Sequence, residues 1–469
     1  MKNRVTRRLC LRAASLPLWP LAVSVPAARA QSASAPGAGG SANSAVLQSL
    51  LTARLTQEGV ALAAGRLDGG QLELAAAARE GVAPDADSFF EIGSITKTFT
   101  ALLLADAVVR GELKLEDPVE AALPYGLKLR DSQGTAIRWR DLATHRSGLP
   151  RLAPNMAPAR PADPYADYGW ESLALFLKTW TPEVARDSRY EYSNLGFGLL
   201  GQALALRAGT GYAALLTRRV LEPLGLRGLV GFDGDLPRPV LQGHSADRRP
   251  VSAWHFLDAS AGAGALRGSV RGLLRYADAA MGGFDHPLRE AFALCLQPQG
   301  ASNKPINPVG LAWLLAPLDG RTVFNHDGGT AGFSSSLWLD PQRRRATVVL
   351  ANAQVGVNDL ALHLLDERLP LKDFAATRQA SIDLTPAAVA PLAGRYALNA
   401  QFKLMLRADG ARLFAQASGQ SEFELFAKTP RRFFARVTPL EIAFDGEQGV
   451  PAALTLHQGG NRLRFVRED

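Results

Sequence analysis

Over most of its length the chain alternates short apolar runs with longer stretches of helical spacing; toward the C-terminus only the short runs remain. Residues 60–64, 72–78 and 89–92 read as strands. From Ser94 to Val109 apolar positions recur at helical spacing, with no Gly or Pro until Gly111, which predicts a helix beginning at Ser94. A helix over 141–145 ends in the turn His145-Arg146-Ser147-Gly148-Leu149-Pro150, and another runs from Leu195 to about Ala208 before Gly209 and Gly211 break it. Ser269 is placed to cap a helix holding Leu273, Leu274, Tyr276 and Ala277. From Gly310 the pattern turns to strands over 311–315, 322–325, 333–339 and 347–351, with Arg343-Arg344-Arg345 in the last hairpin turn as solvated charge. Residues 150–168 are rich in Pro and lead to Tyr165, Tyr168 and Trp170; such segments line clefts or are held by their aromatics.

The chain changes character between residues 378 and 385. Phe402, Leu404 and Leu406 alternate with Lys403, Met405 and Arg407, and turns such as Asp409-Gly410 and Asp445-Gly446 separate further alternating runs. Residues 378–469 therefore read as a separate all-β domain, without a catalytic constellation of its own. At the other end, residues 31–44 are Gly, Ser, Ala and Pro, a flexible spacer, and folding is expected to begin near Ala45. Residues 1–30 have the form of a cleavable signal peptide: a basic start, a short apolar middle broken by Pro17 and Pro20, and Ala28-Arg29-Ala30 as cleavage site. That middle is too short to span a bilayer, so a periplasmic or secreted protein with no transmembrane segment is expected after its removal. Thr6-Arg7-Arg8-Leu9-Cys10-Leu11 fits a twin-arginine signal loosely.

Composition narrows the classes further. With 469 residues, 47% hydrophobic, the chain can bury a large core and form more than one domain. Its formal charge of +8 is misleading: six of the 52 basic residues lie in the leader, leaving 46 against 44 acidic, a net of +2. Such a balance gives no basis for nucleic-acid binding or a polybasic membrane anchor. Of the two cysteines, Cys10 leaves with the leader, so Cys295 has no partner for a disulfide. The chain has no His-Glu-x-x-His sequence and no cysteine cluster, hence no metal site and no cofactor are expected. The Gly and Ala alternation at 261–268 misses the dinucleotide fingerprint because Arg267 stands where the last Gly belongs. Gly243-His244-Ser245-Ala246-Asp247 lacks the closing Gly of a nucleophile elbow.

The candidate chemistry lies in three separated segments. In Phe90-Glu91-Ile92-Gly93-Ser94-Ile95-Thr96-Lys97, helical spacing sets Lys97 beside the Ser94 hydroxyl. A serine nucleophile needs an adjacent base, and a helix start offers amides to an oxyanion. Alone, the pair reads first as an ordinary N-cap serine with a solvated lysine one turn on. Tyr190-Glu191-Tyr192-Ser193-Asn194 puts Tyr192 and Asn194 on the turn before the helix at Leu195. Phe324-Asn325-His326-Asp327-Gly328-Gly329-Thr330 ends a strand in glycines whose bare side would let a substrate backbone lie against it. His145, near a helix C-terminus, reads as a cap for carbonyls.

Together, Ser94/Lys97, Tyr192/Asn194 and His326/Gly328 resemble, in order and spacing, the penicillin-recognising serine hydrolases: class C β-lactamases and D-alanyl-D-alanine peptidases. The Tyr-Ser-Asn middle motif looks like the class C and carboxypeptidase branch, and the resemblance covers about residues 45–365. It implies an α/β catalytic domain over 45–377, an antiparallel sheet flanked by helices with an all-α lobe, followed by a lipocalin-like β domain. It implies acyl transfer: Ser94 attacks, Lys97 and Tyr192 share its proton, and the amides of Ser94 and Gly329 hold the oxyanion. Asn194 would bind Lys97 and the substrate amide, and His326, Gly328 and Gly329 would bind substrate. Because an ordinary Tyr pKa near 10 makes a poor base, a nearby ammonium would have to stabilise its phenolate or relay the proton. The one departure is His326, where class C β-lactamases carry Lys; a His is charged only if its surroundings raise its pKa. The resemblance therefore implies a D-alanyl-D-alanine carboxypeptidase or endopeptidase acting on peptidoglycan peptides. The alternatives are an esterase, a class C-like β-lactamase, or a muropeptide sensor that acylates without turnover.

Overall fold

Twelve of the fourteen residues of the helix that follows Ser94 are buried, which is why it becomes the centre of the molecule rather than a surface helix. The computed structural model describes residues 41–468 except 58, 247, 303–307, 373–379, 400–401, 418–421, 437–439 and 459–460. The expected leader, residues 31–40 of the spacer, Asp247 and the 377/378 boundary lie outside these residues. The helix Thr96–Val109 buries Phe99, Leu102, Leu103 and Leu104 within the largest core cluster. Each such side chain contributes about 1.5–3 kcal/mol when fully buried. Around it pack the helices Arg289–Leu296, Asp258–Gly264 and Asn194–Ala208, and Tyr276 of Val270–Ala280 stacks on its Phe99.

Beside these helices lies an eight-stranded sheet. From one edge its order is Gln71–Ala78, Ala61–Asp68, Arg345–Ala351, Ser334–Asp340, Arg321–Gly329, Leu314–Leu318, Pro308–Val309 and Gly300–Ala301, every pairing antiparallel. The N-terminal hairpin thus joins a strand from the far end of the catalytic segment, with Ala64 opposite Val349. The second face is covered by Ser41–Gln57 and Asn358–Leu365, where Leu47, Leu51 and Leu55 meet Leu62, Val349 and Leu360. That first helix begins at Ser41, earlier than the expected start near Ala45. The expected strand over 89–92 is only Phe90–Glu91, whereas the strand expected over 322–325 runs through Gly329. The arginines of the hairpin are paired, Arg345 with Asp68, Arg343 with Asp366 and Arg344 with Asp278, rather than merely solvated.

Residues 394–468 close into an eight-stranded antiparallel barrel, Gly394–Ala397 pairing both with Lys403–Asp409 and with Asn461–Glu468. Alternation along the strands puts Leu404, Leu406, Leu413, Ile442, Leu454 and Leu456 inside.

Candidate active site

Ser94 stands on a 3-10 turn, Gly93–Ile95, that runs into the central helix. Gly93 holds φ +49, and a Cβ there would lie 2.7 Å from the Gly329 nitrogen. Only glycine combines that backbone with so close an approach. The turn is fastened to the neighbouring strand, since the Ser335 hydroxyl donates to the Ile92 carbonyl at 2.9 Å.

One helical turn on, Lys97 is fully buried, with Nζ 2.9 Å from Ser94 Oγ and donating to the Ala263 carbonyl at 2.7 Å. The Tyr192 and Phe197 rings lie 4.9 and 5.8 Å from the same nitrogen. Burial, followed by the Arg151 guanidinium, pushes the amine well below the ordinary lysine range. In its unprotonated form, which burial favours, Nζ can offer a lone pair to the Ser94 O–H and keep a hydrogen for Ala263. That is the activated serine arrangement.

Tyr192 faces the same hydroxyl, and burial pushes its phenol up, against the opposing effects of a hydrogen bond with Ser94 and of Arg151. The phenolate considered from the sequence is therefore disfavoured; the amine is the better base, and Tyr192 a neutral donor. Ser193, between Tyr192 and Asn194, is the N-cap of the next helix, its Oγ accepting from Gly196 N–H at 2.8 Å and donating to the Pro150 carbonyl at 2.6 Å. Asn194 does not bond Lys97 as expected: its Nδ2 donates to the Tyr165 hydroxyl at 3.0 Å, and its buried Oδ1 has no partner among the described residues. Tyr165 in turn stacks on Phe256 at 4.7 Å, so this aromatic anchors the Pro-rich segment.

His145 does not cap carbonyls. Its Nδ1 accepts the Ser193 N–H at 3.0 Å, its carbonyl accepts Glu191 N–H at 2.7 Å, and its ring packs 4.3 Å from that of Tyr192. Burial foremost pushes its pKa well down, which keeps Nδ1 free to accept. Sequence reasoning passed over this positioning role; the adjacent Gly148-Leu149-Pro150 turn was its only signal. His145→Ala should lower stability by about 1–3 kcal/mol, the cost of orphaning a buried donor. It should reduce kcat with little change in KM, and His145→Asn, which keeps an acceptor, should recover part of the loss in melting and ester assays.

His326 is buried, with Nδ1 donating to its neighbour's Asp327 carbonyl at 2.7 Å and its ring 6.4 Å from Tyr192. Burial foremost, then Lys97, brings its pKa down to about 3. It is a neutral imidazole and not the cation a lysine would be. The two glycines differ. At Gly328 a Cβ would meet the Ile92 carbonyl at 2.0 Å and Ser335 Oγ at 2.3 Å, so its bare side is filled by the serine turn, which corrects the expectation of substrate contact. At Gly329 the nearest atom is Phe333 O at 3.8 Å, and this residue lines open space.

That space is a cavity of about 620 Å³ walled by Ser94, Arg151, Tyr192, His326, Gly329 and Thr330. Lys97, Asn194 and Gly328 lie behind the wall. Of the expected residues, the structure thus brings Ser94, Lys97, Tyr192, His326 and Gly329 together. Among the described residues no group of three or more His, Cys, Asp or Glu is placed to hold a metal ion, and no helix is long and apolar enough to cross a membrane.

Comparison with known proteins follows this geometry. The family model described as Beta-lactamase matches residues 47–369. The D-alanyl-D-alanine-carboxypeptidase/endopeptidase AmpH of Escherichia coli (strain K12) is 28% identical over 308 residues, covering 60% of this chain and 78% of its own. Penicillin-binding protein 4* of Bacillus subtilis (strain 168) is 24% identical over 423 residues, covering 81% and 88%. Among solved structures, the octameric penicillin-binding protein homologue from Pyrococcus abyssi superposes with a TM-score of 0.61 at 19% identity, over 90% of this chain and 99% of that one. At that identity the likeness shows the fold alone.

Proposed function

Because the chain belongs to the Beta-lactamase family and is a serine hydrolase acting by acyl transfer, we propose that it is an exported, penicillin-reactive enzyme cleaving peptidoglycan peptides of the D-alanyl-D-alanine type. One observation carries the reading: a buried lysine amine, its pKa pushed down by burial, 2.9 Å from a serine hydroxyl at the wall of a ligand-sized cavity. Ser94 Oγ attacks the carbonyl as its proton passes to Lys97 Nζ. The oxyanion is held by the Ser94 and Gly329 amides, and the proton taken up by Lys97 passes to the departing amine by way of the Tyr192 hydroxyl, which ends as a neutral phenol. Water then attacks the acyl-enzyme and Ser94 is restored. With His326 neutral, Arg151, which lines the cavity with its guanidinium carbon 5.1 Å over the Tyr192 ring, is the group to receive a substrate carboxylate.

Mass spectrometry after exposure to benzylpenicillin, a D-Ala-D-Ala peptide and a simple ester tests this. A single adduct at Ser94 is expected, with release of D-Ala and no adduct on Ser94→Ala; full labelling of that variant defeats the scheme. The neutral His326 also favours a second reading, an esterase for uncharged substrates, for which turnover of p-nitrophenyl esters without D-Ala release is the distinguishing outcome.

A further inference from the structure

The cavity that holds Ser94 does not end at the catalytic segment. Its far wall is built by Phe402, Leu404, Phe423, Leu440, Ile442 and Leu456 of the C-terminal barrel, with Glu422 and Gln458 at its edge. These positions are not scattered: they fall at the starts of strands Lys403–Asp409, Phe423–Thr429 and Leu440–Phe444 and near the end of Ala453–Gln458. In an antiparallel barrel those are points on a single rim. Leu404, Ile442 and Leu456 also belong to the barrel's interior cluster, so the cavity enters the lumen at that mouth. Deeper in, Leu406, Leu413, Leu454 and Phe465 fill the space. The mouth is therefore a shallow apolar cup facing the nucleophile, with a floor.

We propose that this cup is the subsite for the acyl chain of a medium-chain carboxylic ester, a substrate class beyond D-alanyl peptides. The proposal rests on acyl transfer at Ser94. A mostly apolar wall recognises hydrocarbon and presents a peptide carboxylate with no cation, its Glu422 being paired with Arg407, while the filled lumen limits chain length. In the reaction Ser94 Oγ bonds to the ester carbonyl carbon and the Oγ proton moves to Lys97. The carbonyl carbon to alkoxy oxygen bond breaks, the alcohol leaves with that proton, and water releases the fatty acid and restores the serine. Throughout, the chain stays in the cup.

The decisive probe is an alkyl fluorophosphonate with a diazirine at the chain terminus, applied to the full-length mature protein. Ser94 displaces fluoride, and irradiation should cross-link the chain end to Phe402, Leu404, Leu440 or Leu456. Cross-links confined to the catalytic segment overturn the proposal alone; absence of label at Ser94 removes the serine reading and the proposal with it. In parallel, kcat/KM should rise at least about tenfold from p-nitrophenyl acetate to the octanoate, each fully buried methylene being worth about fourfold at most. Phe402→Ser combined with Leu440→Ser should shrink that ratio. A flat chain-length profile, or a ratio unchanged in a folded double variant, defeats the idea; where the variant does not fold, the cross-link position decides.

Discussion

Lys97→Met should lower kcat/KM by about a thousandfold, within the range of roughly 10²–10⁴ that a positioned general base contributes, and should at the same time raise the melting temperature. Both effects have one cause. The amine is buried behind Ser94, and that burial drives its pKa well below the lysine range, so folding disfavours its charged form. Between that lowered value and the unfolded value of about 10.4, the unfolded chain binds the extra proton. Stability therefore increases with pH across this window, and at neutral pH Lys97 detracts from it. Methionine keeps the length and removes the protonation cost. In the unsubstituted enzyme, acylation by penicillin should fall as pH drops through the lowered Lys97 value, because a protonated amine cannot accept the Ser94 proton. A rising limb with an apparent pKa below the ordinary lysine range is expected, and it should vanish in Lys97→Met. A limb centred near 10 would refute the buried base, and a lower melting temperature for the variant would refute the stability claim. Tyr192, whose phenol is pushed up by burial, should add no second limb on the alkaline side at moderate pH.

Gly328→Ala should be nearly as damaging, although this residue touches no substrate. Its Cβ would fall 2.0 Å from the Ile92 carbonyl, two residues before Ser94, a backbone atom that cannot rotate away. The strand or the serine turn must shift. Overpacking of this kind costs about 1–3 kcal/mol, and a displacement near 1 Å at the nucleophile costs about a hundredfold in rate. Gly329→Ala, whose Cβ would meet only Phe333 O at 3.8 Å, should unfold at nearly the unsubstituted temperature. Melting curves and ester turnover of the pair check this; equal loss of stability in both variants would show that the close approach at Gly328 is not the controlling contact.

How far the sequence spoke depended on the range of the interactions involved. Ser94 and Lys97 are one helical turn apart, so their meeting at 2.9 Å followed from spacing alone. Ser269 as a cap was equally local, its Oγ accepting Gly272 N–H at 3.1 Å. The charge state of His326 was not local: it follows from what surrounds the ring, and that surround is assembled from segments far apart in the chain. Alternation around Leu404 and Ile442 announced strands, but closure depends on Gly394–Ala397 meeting Asn461–Glu468, a pairing no window of sequence displays. Asn194 was misplaced because its partner, Tyr165, lies 29 residues back in an irregular segment. Gly328 and Gly329 are neighbours of the same type, and only the packing of Ile92 tells them apart.

The fastening of the serine turn to the strand Arg321–Gly329 has a wider meaning. Through Gly93, Gly328 and the Ser335 to Ile92 hydrogen bond, the nucleophile and the Gly329 amide form one stiff ledge. The walls that face it, the Arg151 loop and the barrel rim, belong to other parts of the chain. A protein engineer can thus redraw what enters the cavity by exchanging those walls while the bond-breaking hardware keeps its alignment.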